Sequence, residues 1–158
     1  LWPGDGWAGP LSYPAEGRDA DDTADALLIW LLSNVDETAR LAFVGHSLGS
    51  RMVNEYMWRD EDNPALFAWV SVGMVHGTYD KPIHIPVPVL DLYTEKDYNV
   101  VLWYVDERLK ELQQVKVKGS KQIMEPGAEH FFEGHEKQLI EYVRKFFDDT
   151  LAAKTAQK

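Results

Sequence analysis

Short apolar runs alternate along this chain with longer amphipathic stretches, and that alternation limits the fold more than any other feature. A continuous apolar run of strand length fits a strand buried on both faces, and a stretch with helical spacing fits the crossover that returns the chain to the same edge. The pattern therefore predicts β-α-β units and a largely parallel sheet. Leu41-Ala42-Phe43-Val44 is such a run, and it ends at Gly45. Leu48, Met52, Val53, Tyr56 and Met57 then form a helical stripe over residues 48–58, broken by residues 60–64. Residues 66–75 read as a second strand and 87–90 as a third, with prolines near its start. Val100, Val101, Tyr104, Val105, Leu109 and Leu112 make the next helical stripe. Residues 115–124 read as a fourth strand, and Leu139, Ile140, Val143, Phe146 and Phe147 mark a closing helix. Upstream, Asp19, Asp21 and Asp22 precede Leu27, Leu28, Leu31 and Leu32, which predicts a helix over 19–33, and residues 7–13 read as one further strand.

The fold class implied is α/β, a three-layer sandwich around a mostly parallel sheet. No repeat or linker divides the 158 residues, so 1–151 read as a single domain and 152–158 as a flexible C-terminal tail. A chain of this length can bury roughly two-thirds of the surface its unfolded form exposes, enough for a core without cross-links. It has no Cys, which excludes a disulfide scaffold, a Cys-ligated metal and a Cys nucleophile. Sixteen Lys and Arg face twenty-six Asp and Glu, a net charge of −10, and no basic cluster occurs. That balance argues against nucleic acid as a partner. No apolar run reaches the roughly 18 residues of a transmembrane helix. The opening Leu1-Trp2-Pro3-Gly4-Asp5-Gly6 has neither an initiator Met nor a signal-peptide pattern, so the chain reads as a mature or truncated product.

Gly45-His46-Ser47-Leu48-Gly49 is a G-x-S-x-G sequence lying between a buried strand and an amphipathic helix. A serine at such a sharp turn is held in a strained backbone with its hydroxyl projecting, and small residues two positions to either side avoid collision. The turn also aims the first N–H groups of the helix, Leu48's among them, at the place where an oxyanion would develop. A serine hydroxyl needs a base to remove its proton, and candidates follow downstream. Asp91-Leu92-Tyr93-Thr94-Glu95-Lys96-Asp97 reads as an acidic loop after the third strand, with Asp97 the first candidate acid and Asp91 the second. Pro126-Gly127-Ala128-Glu129-His130-Phe131-Phe132-Glu133-Gly134-His135 reads as a loop after the fourth, with His130 the candidate base and His135, at the start of the last helix, the weaker one.

Serine, acid and histidine in that order, each after an apolar run, resemble the α/β-hydrolase superfamily, and the likeness extends over residues 7–151. The later two segments are similar to those of small, lid-poor esterases, including dienelactone-hydrolase-like proteins. The resemblance implies that Ser47 is the nucleophile, His130 the base that takes its proton, Asp97 the acid that orients the imidazole, and the Leu48 amide an oxyanion donor. The room ahead of Leu41 fits about one strand, so the chain is expected to lack the superfamily's first strands and the loop that gives a second oxyanion donor.

The function implied is that of a serine hydrolase cleaving a carboxylic ester or related acyl bond through an acyl-enzyme intermediate. Its partner is a small ester-like molecule, and no cofactor or metal is implied. Glu129, His130, Glu133 and His135 match no named zinc spacing. A second reading is a non-catalytic, hydrolase-like module that binds a ligand or protein and keeps the turn as relic geometry. A third, a serine-independent perhydrolase or lyase on the same fold, has no supporting residue. His46 is expected to pack or hydrogen-bond beside the site, and His76 and His84 to be ordinary loop residues. Trp30, Trp58, Trp69 and Trp103 are expected in or near the core. Of Phe131 and Phe132, one is expected to wall a pocket and the other to pack inside. The excursion over 73–86 is too short for a sizeable lid.

Overall fold

The structure, a computed structural model, describes residues 40–59, 64–76, 82–115 and 117–155. The helix expected over 19–33, with Trp30, and the strand expected over 7–13 lie outside the described residues.

The elements run β1 (Leu41–His46), α1 (Leu48–Met57), β2 (Leu66–Val72), β3 (Val89–Lys96), α2 (Asn99–Leu102), α3 (Val105–Val115), β4 (Lys121–Glu129) and α4 (Glu136–Thr155). The strands form one sheet in the order β1-β2-β3-β4, and all three ladders are parallel. Each strand's partner lies beyond a crossover, as the alternation of runs and stripes requires. Every residue of β2 is buried, because β2 is covered on both faces. On one face Trp69 and Val89 pack with Val53, Tyr56 and Met57 of α1 and Leu112 of α3. On the other, Val70, Val72, Leu90 and Leu92 pack against Phe146 and Phe147 of α4. Helix, sheet and helix thus make three layers. Each fully buried large side chain contributes roughly 1.5–3 kcal/mol, so these two clusters hold the layers together.

Several boundaries differ from the sequence reading. The second strand stops at Val72, since Gly73 turns to φ 54°. The third is longer than 87–90 and carries Asp91 to Lys96 inside the sheet, where a loop was expected. The helical stripe over 100–112 is two helices, broken at Trp103 and Tyr104. The strand expected over 115–124 begins only at Lys121. Helix α3 includes Val115, and Gly119 at φ 98° makes the turn before the ladder starts. That strand also continues through Pro126 and Gly127, because the register slips between Thr94 and Lys96 of its partner and a bulge accommodates both residues. Helix α4 extends to Thr155, beyond the Ala152 start of the expected tail. Trp69 is fully buried, but Trp58 is exposed and Trp103 is 73% exposed, so the expectation of a core role fails for these two.

Candidate active site

Parallel strands present all their carboxyl ends at one edge of the sheet, and open α/β sheets build their sites there. Ser47 follows β1, Asp97 follows β3 and His130 follows β4, so topology alone delivers three polar side chains to that edge.

Ser47 has φ 54° and ψ −121° at the entry to α1. A residue with a Cβ holds such a conformation only when its surroundings impose it, at a cost of about 1–3 kcal/mol. Here Ser47 N–H donates to Val72 O at 2.7 Å. The buried Ser50 hydroxyl donates to Gly45 O at 2.6 Å and accepts from Val72 N–H at 3.2 Å. These bonds pin the turn to the end of β2. A Cβ on Gly45 would lie 2.6 Å from Ser50 Cα, so only glycine fits. The same requirement does not hold at Gly49, where a Cβ meets no described atom within 4 Å. Leu48 opens α1, and the first N–H groups of a helix have no intrahelical acceptor.

His130 and Asp97 are both buried, and the imidazole Nδ1–H donates to Asp97 Oδ1 at 2.5 Å. Asp97 is itself fixed, its Oδ2 accepting from Thr94 N–H at 3.2 Å and its Oδ1 from Tyr98 N–H at 2.8 Å. With Nδ1 committed to the carboxylate, Nε2 is the ring atom left to accept a proton. The Tyr98 ring stacks on the imidazole at 4.2 Å. Neighbouring strands lie about 4.8 Å apart, so with two strands between them the ends of β1 and β4 stand about 14 Å apart. The loop after β4 closes that gap by folding inward. At Gly73, which follows β2, a Cβ would come within 3.0 Å of His130 Cε1 and Nδ1 and 3.4 Å of Asp97 Oδ2. His46, adjacent to Ser47, donates from Nε2 to His130 O at 3.0 Å. Ser47 and His130 therefore meet the same Val72–Gly73 corner, although among the described residues no hydrogen bond joins the Ser47 hydroxyl to the imidazole.

Asp91 lies elsewhere. It lies within β3, and its Oδ2 accepts from Arg108 Nε at 2.9 Å and from Gln122 Nε2 at 2.8 Å rather than from His130. His135 is likewise engaged, donating from Nδ1 to Glu125 Oε1 at 2.8 Å, while Tyr142 donates to Glu125 Oε2 at 2.8 Å. Burial alone would raise the Glu125 pKa, but these two hydrogen bonds outweigh it and hold the carboxyl below its ordinary value. The Glu125 hydrogen bond raises the Tyr142 pKa in turn. Glu125 lies inside β4 and His135 ends the His130 loop, so the pair clamps the far end of that loop back onto the strand. His76 and His84 lie in loops, as expected, with His76 buried against Tyr104 and His84 packed on Trp58. Phe132 is buried in the α4-side core, and Phe131 is exposed beside His130. Among the described residues no group of three or more His, Cys, Asp or Glu side chains is placed to hold a metal ion. The sequence reading missed Gly73 and Tyr98. A glycine directly after a buried strand was the only signal for the first, and the second had none.

No protein-family model and no curated protein matches the sequence. Solved structures do. A protein of unknown function from Agrobacterium tumefaciens, a candidate alpha/beta hydrolase, superposes with a TM-score of 0.71 at 21% identity, covering 90% of this chain and 67% of its own. The chain has the α/β-hydrolase fold. A serine hydrolase without a lid from Xanthomonas campestris matches with a TM-score of 0.66 at 16% identity, over 89% of this chain and 63% of its own. An alpha-beta serine hydrolase homologue from Coxiella burnetii matches with a TM-score of 0.60 at 17% identity, over 83% and 62%. The chain thus spans about two thirds of the length of the hydrolase-fold structures it matches. In this hydrolase fold the strand ends that carry Ser47, Asp97 and His130 are all described. No described helix is long and apolar enough to cross a membrane.

Proposed function

We propose that this protein is a serine hydrolase that cleaves a carboxylic ester or related acyl bond. The observation that carries the reading is the buried Asp97–His130 hydrogen bond of 2.5 Å, set against the same strand corner that holds Ser47 in its strained turn. In this reading His130 Nε2 takes the Ser47 hydroxyl proton as the oxygen attacks the acyl carbon, and Asp97 stabilises the imidazolium through Nδ1–H. The Leu48 N–H, at the positive end of α1, donates to the developing oxyanion. Collapse of the tetrahedral intermediate leaves an acyl group on Ser47 and releases the alcohol, and water then repeats the cycle with His130 again as base. A Ser47 hydroxyl with no hydrogen bond to the imidazole fits this chemistry, since catalytic hydrogen bonds often tighten only around substrate. The brevity of the 73–86 excursion favours an open site and small substrates, as does the lidless neighbour.

A second reading, a non-catalytic module, is favoured by one observation: Val44 on β1, the outermost strand among the described residues, is 56% exposed, an apolar side chain open to a partner. A fluorophosphonate probe separates the two. Labelling of the protein that disappears in Ser47→Ala supports the hydrolase, and absence of labelling in folded protein refutes it.

A further inference from the structure

Large apolar side chains exposed singly need no explanation, but several crowded round one polar group mark a ligand site. His130 is only 2% exposed, and aromatic rings enclose it. Tyr98 stacks at 4.2 Å with an interplanar angle of 26°, His46 lies at 4.6 Å, and Phe131 stands edge-on at 5.0 Å and 78°. Two of these rings also face solvent, Phe131 being 63% exposed and Tyr98 51%. Their planes are 86° apart with centroids at 6.3 Å, so together they make a right-angled apolar corner beside the imidazole. A flat ring lying on one wall meets the other edge-on, and both contacts are favourable aromatic geometries.

We propose that Tyr98 and Phe131 form a leaving-group subsite that selects esters of ring-bearing alcohols. The inference rests on the serine-hydrolase reading above and deepens it. When the tetrahedral intermediate collapses, the bond from the acyl carbon to the alcohol oxygen breaks. The imidazolium gives its Nε2 proton to that oxygen, and the acyl group stays on Ser47. The alcohol portion is therefore the part of the substrate that must reach His130, and the groups packed round His130 are the ones it meets. Phe131 also lies 5.5 Å from the His46 ring, next to Ser47, so it is the alcohol's need to reach His130 that assigns the corner to the leaving group.

Two isomeric esters provide the test, because benzyl acetate carries its ring on the alcohol and methyl phenylacetate on the acyl group. Both need Ser47 and His130 equally, so any general damage cancels in the ratio of their kcat/KM values. Phe131→Ala should lower the ratio of benzyl acetate to methyl phenylacetate about tenfold, the scale of one lost aromatic contact and its buried area. Phe131→Leu, which keeps apolar volume without the ring, should move it in the same direction by less. A ratio unchanged within about twofold, or one that shifts against methyl phenylacetate, overturns the subsite. If Ser47 still labels with the fluorophosphonate in that case, the hydrolase reading survives the loss. Absence of both labelling and hydrolysis in the unmodified protein overturns that reading and the subsite with it.

Discussion

Two carboxylates leave the third strand of this sheet for different work, and exchanging each for its amide separates them. Asp97 accepts from His130 Nδ1–H at 2.5 Å, Thr94 N–H at 3.2 Å and Tyr98 N–H at 2.8 Å. Asparagine keeps the shape but has only one acceptor oxygen. If its NH2 faces the imidazole, Nδ1 becomes the acceptor and the proton moves to Nε2, the atom that takes the serine proton in the proposed mechanism. The same swap in a serine-protease triad costs about 10⁴ in kcat, and Asp97→Asn should lose activity on that scale. It also leaves the Tyr98 N–H, which bonds the same oxygen, without an acceptor, at about 1–3 kcal/mol. In a domain of this size that is a fall of roughly 2–12 °C in Tm. Asp91→Asn should give the opposite pattern. Arg108 and Asp91 are almost completely buried and 2.9 Å apart, so the amide strands a buried cation, at about 3–5 kcal/mol and roughly 6–20 °C in Tm. The folded fraction should still hydrolyse substrate. Steady-state kinetics on a chromogenic ester and thermal unfolding by circular dichroism read both axes. The assignment fails if Asp97→Asn retains more than about a tenth of kcat, or if folded Asp91→Asn is inactive.

The glycines give sharper contrasts. Gly73→Ala places a methyl 3.0 Å from the imidazole at φ 54°, so kcat should drop at least about tenfold while strain removes only about 1–3 kcal/mol of stability; an unchanged kcat refutes the close approach. Gly45→Ala drives a Cβ into Ser50 backbone and should cost about 1–3 kcal/mol or more in denaturant unfolding, whereas Gly49→Ala, in open helical surroundings, should be neutral or stabilise by up to about 1 kcal/mol. Equal effects at the two positions would show that the turn is not packed as described. Glu125 has a folded pKa below its ordinary value, so its contribution to stability is present above about pH 4.3 and is lost as the pH falls through the lower, folded value. Glu125→Gln should therefore flatten the fall of Tm on acidification, and parallel Tm curves for the two proteins would contradict the clamp.

How much of this was legible depended on whether the cause lay along the chain or across it. The β1-turn-α1 unit was readable because hydrophobic period changes from continuous to helical at Gly45, and a local change of period is a sequence property. The gathering of Ser47, Asp97 and His130 at one edge was readable for a related reason, since parallel topology sends whatever follows each strand to the same edge. The continuation of β4 through Pro126 and Gly127 was not. Both residues punctuate a strand in isolation, and only the slipped register against β3 makes room for them. Gly73 was invisible as a site residue because its need for a missing side chain comes from His130, far along the chain.

The two candidate acids show where that division falls within a single strand. Along β3 side chains alternate, so Leu90 and Leu92 join the α4-side core while Val89 faces α1 and α3. Asp91 shares the parity of Val89 and is buried with the strand still in its ladder, so its charge must be met where it stands. Arg108 lies seventeen positions away on α3 and Gln122 thirty-one away on β4, and neither pairing leaves a trace in the linear pattern. Asp97 comes after Lys96, where the strand has ended and parity no longer assigns a face. A carboxylate there is free to bend over the sheet edge and meet an imidazole arriving from β4. The length of the strand, rather than the identity of either residue, thus decides which aspartate reaches the imidazole. Extending the apparent strand by the six residues from Asp91 to Lys96 moves that reach from the first acid of the segment to the last.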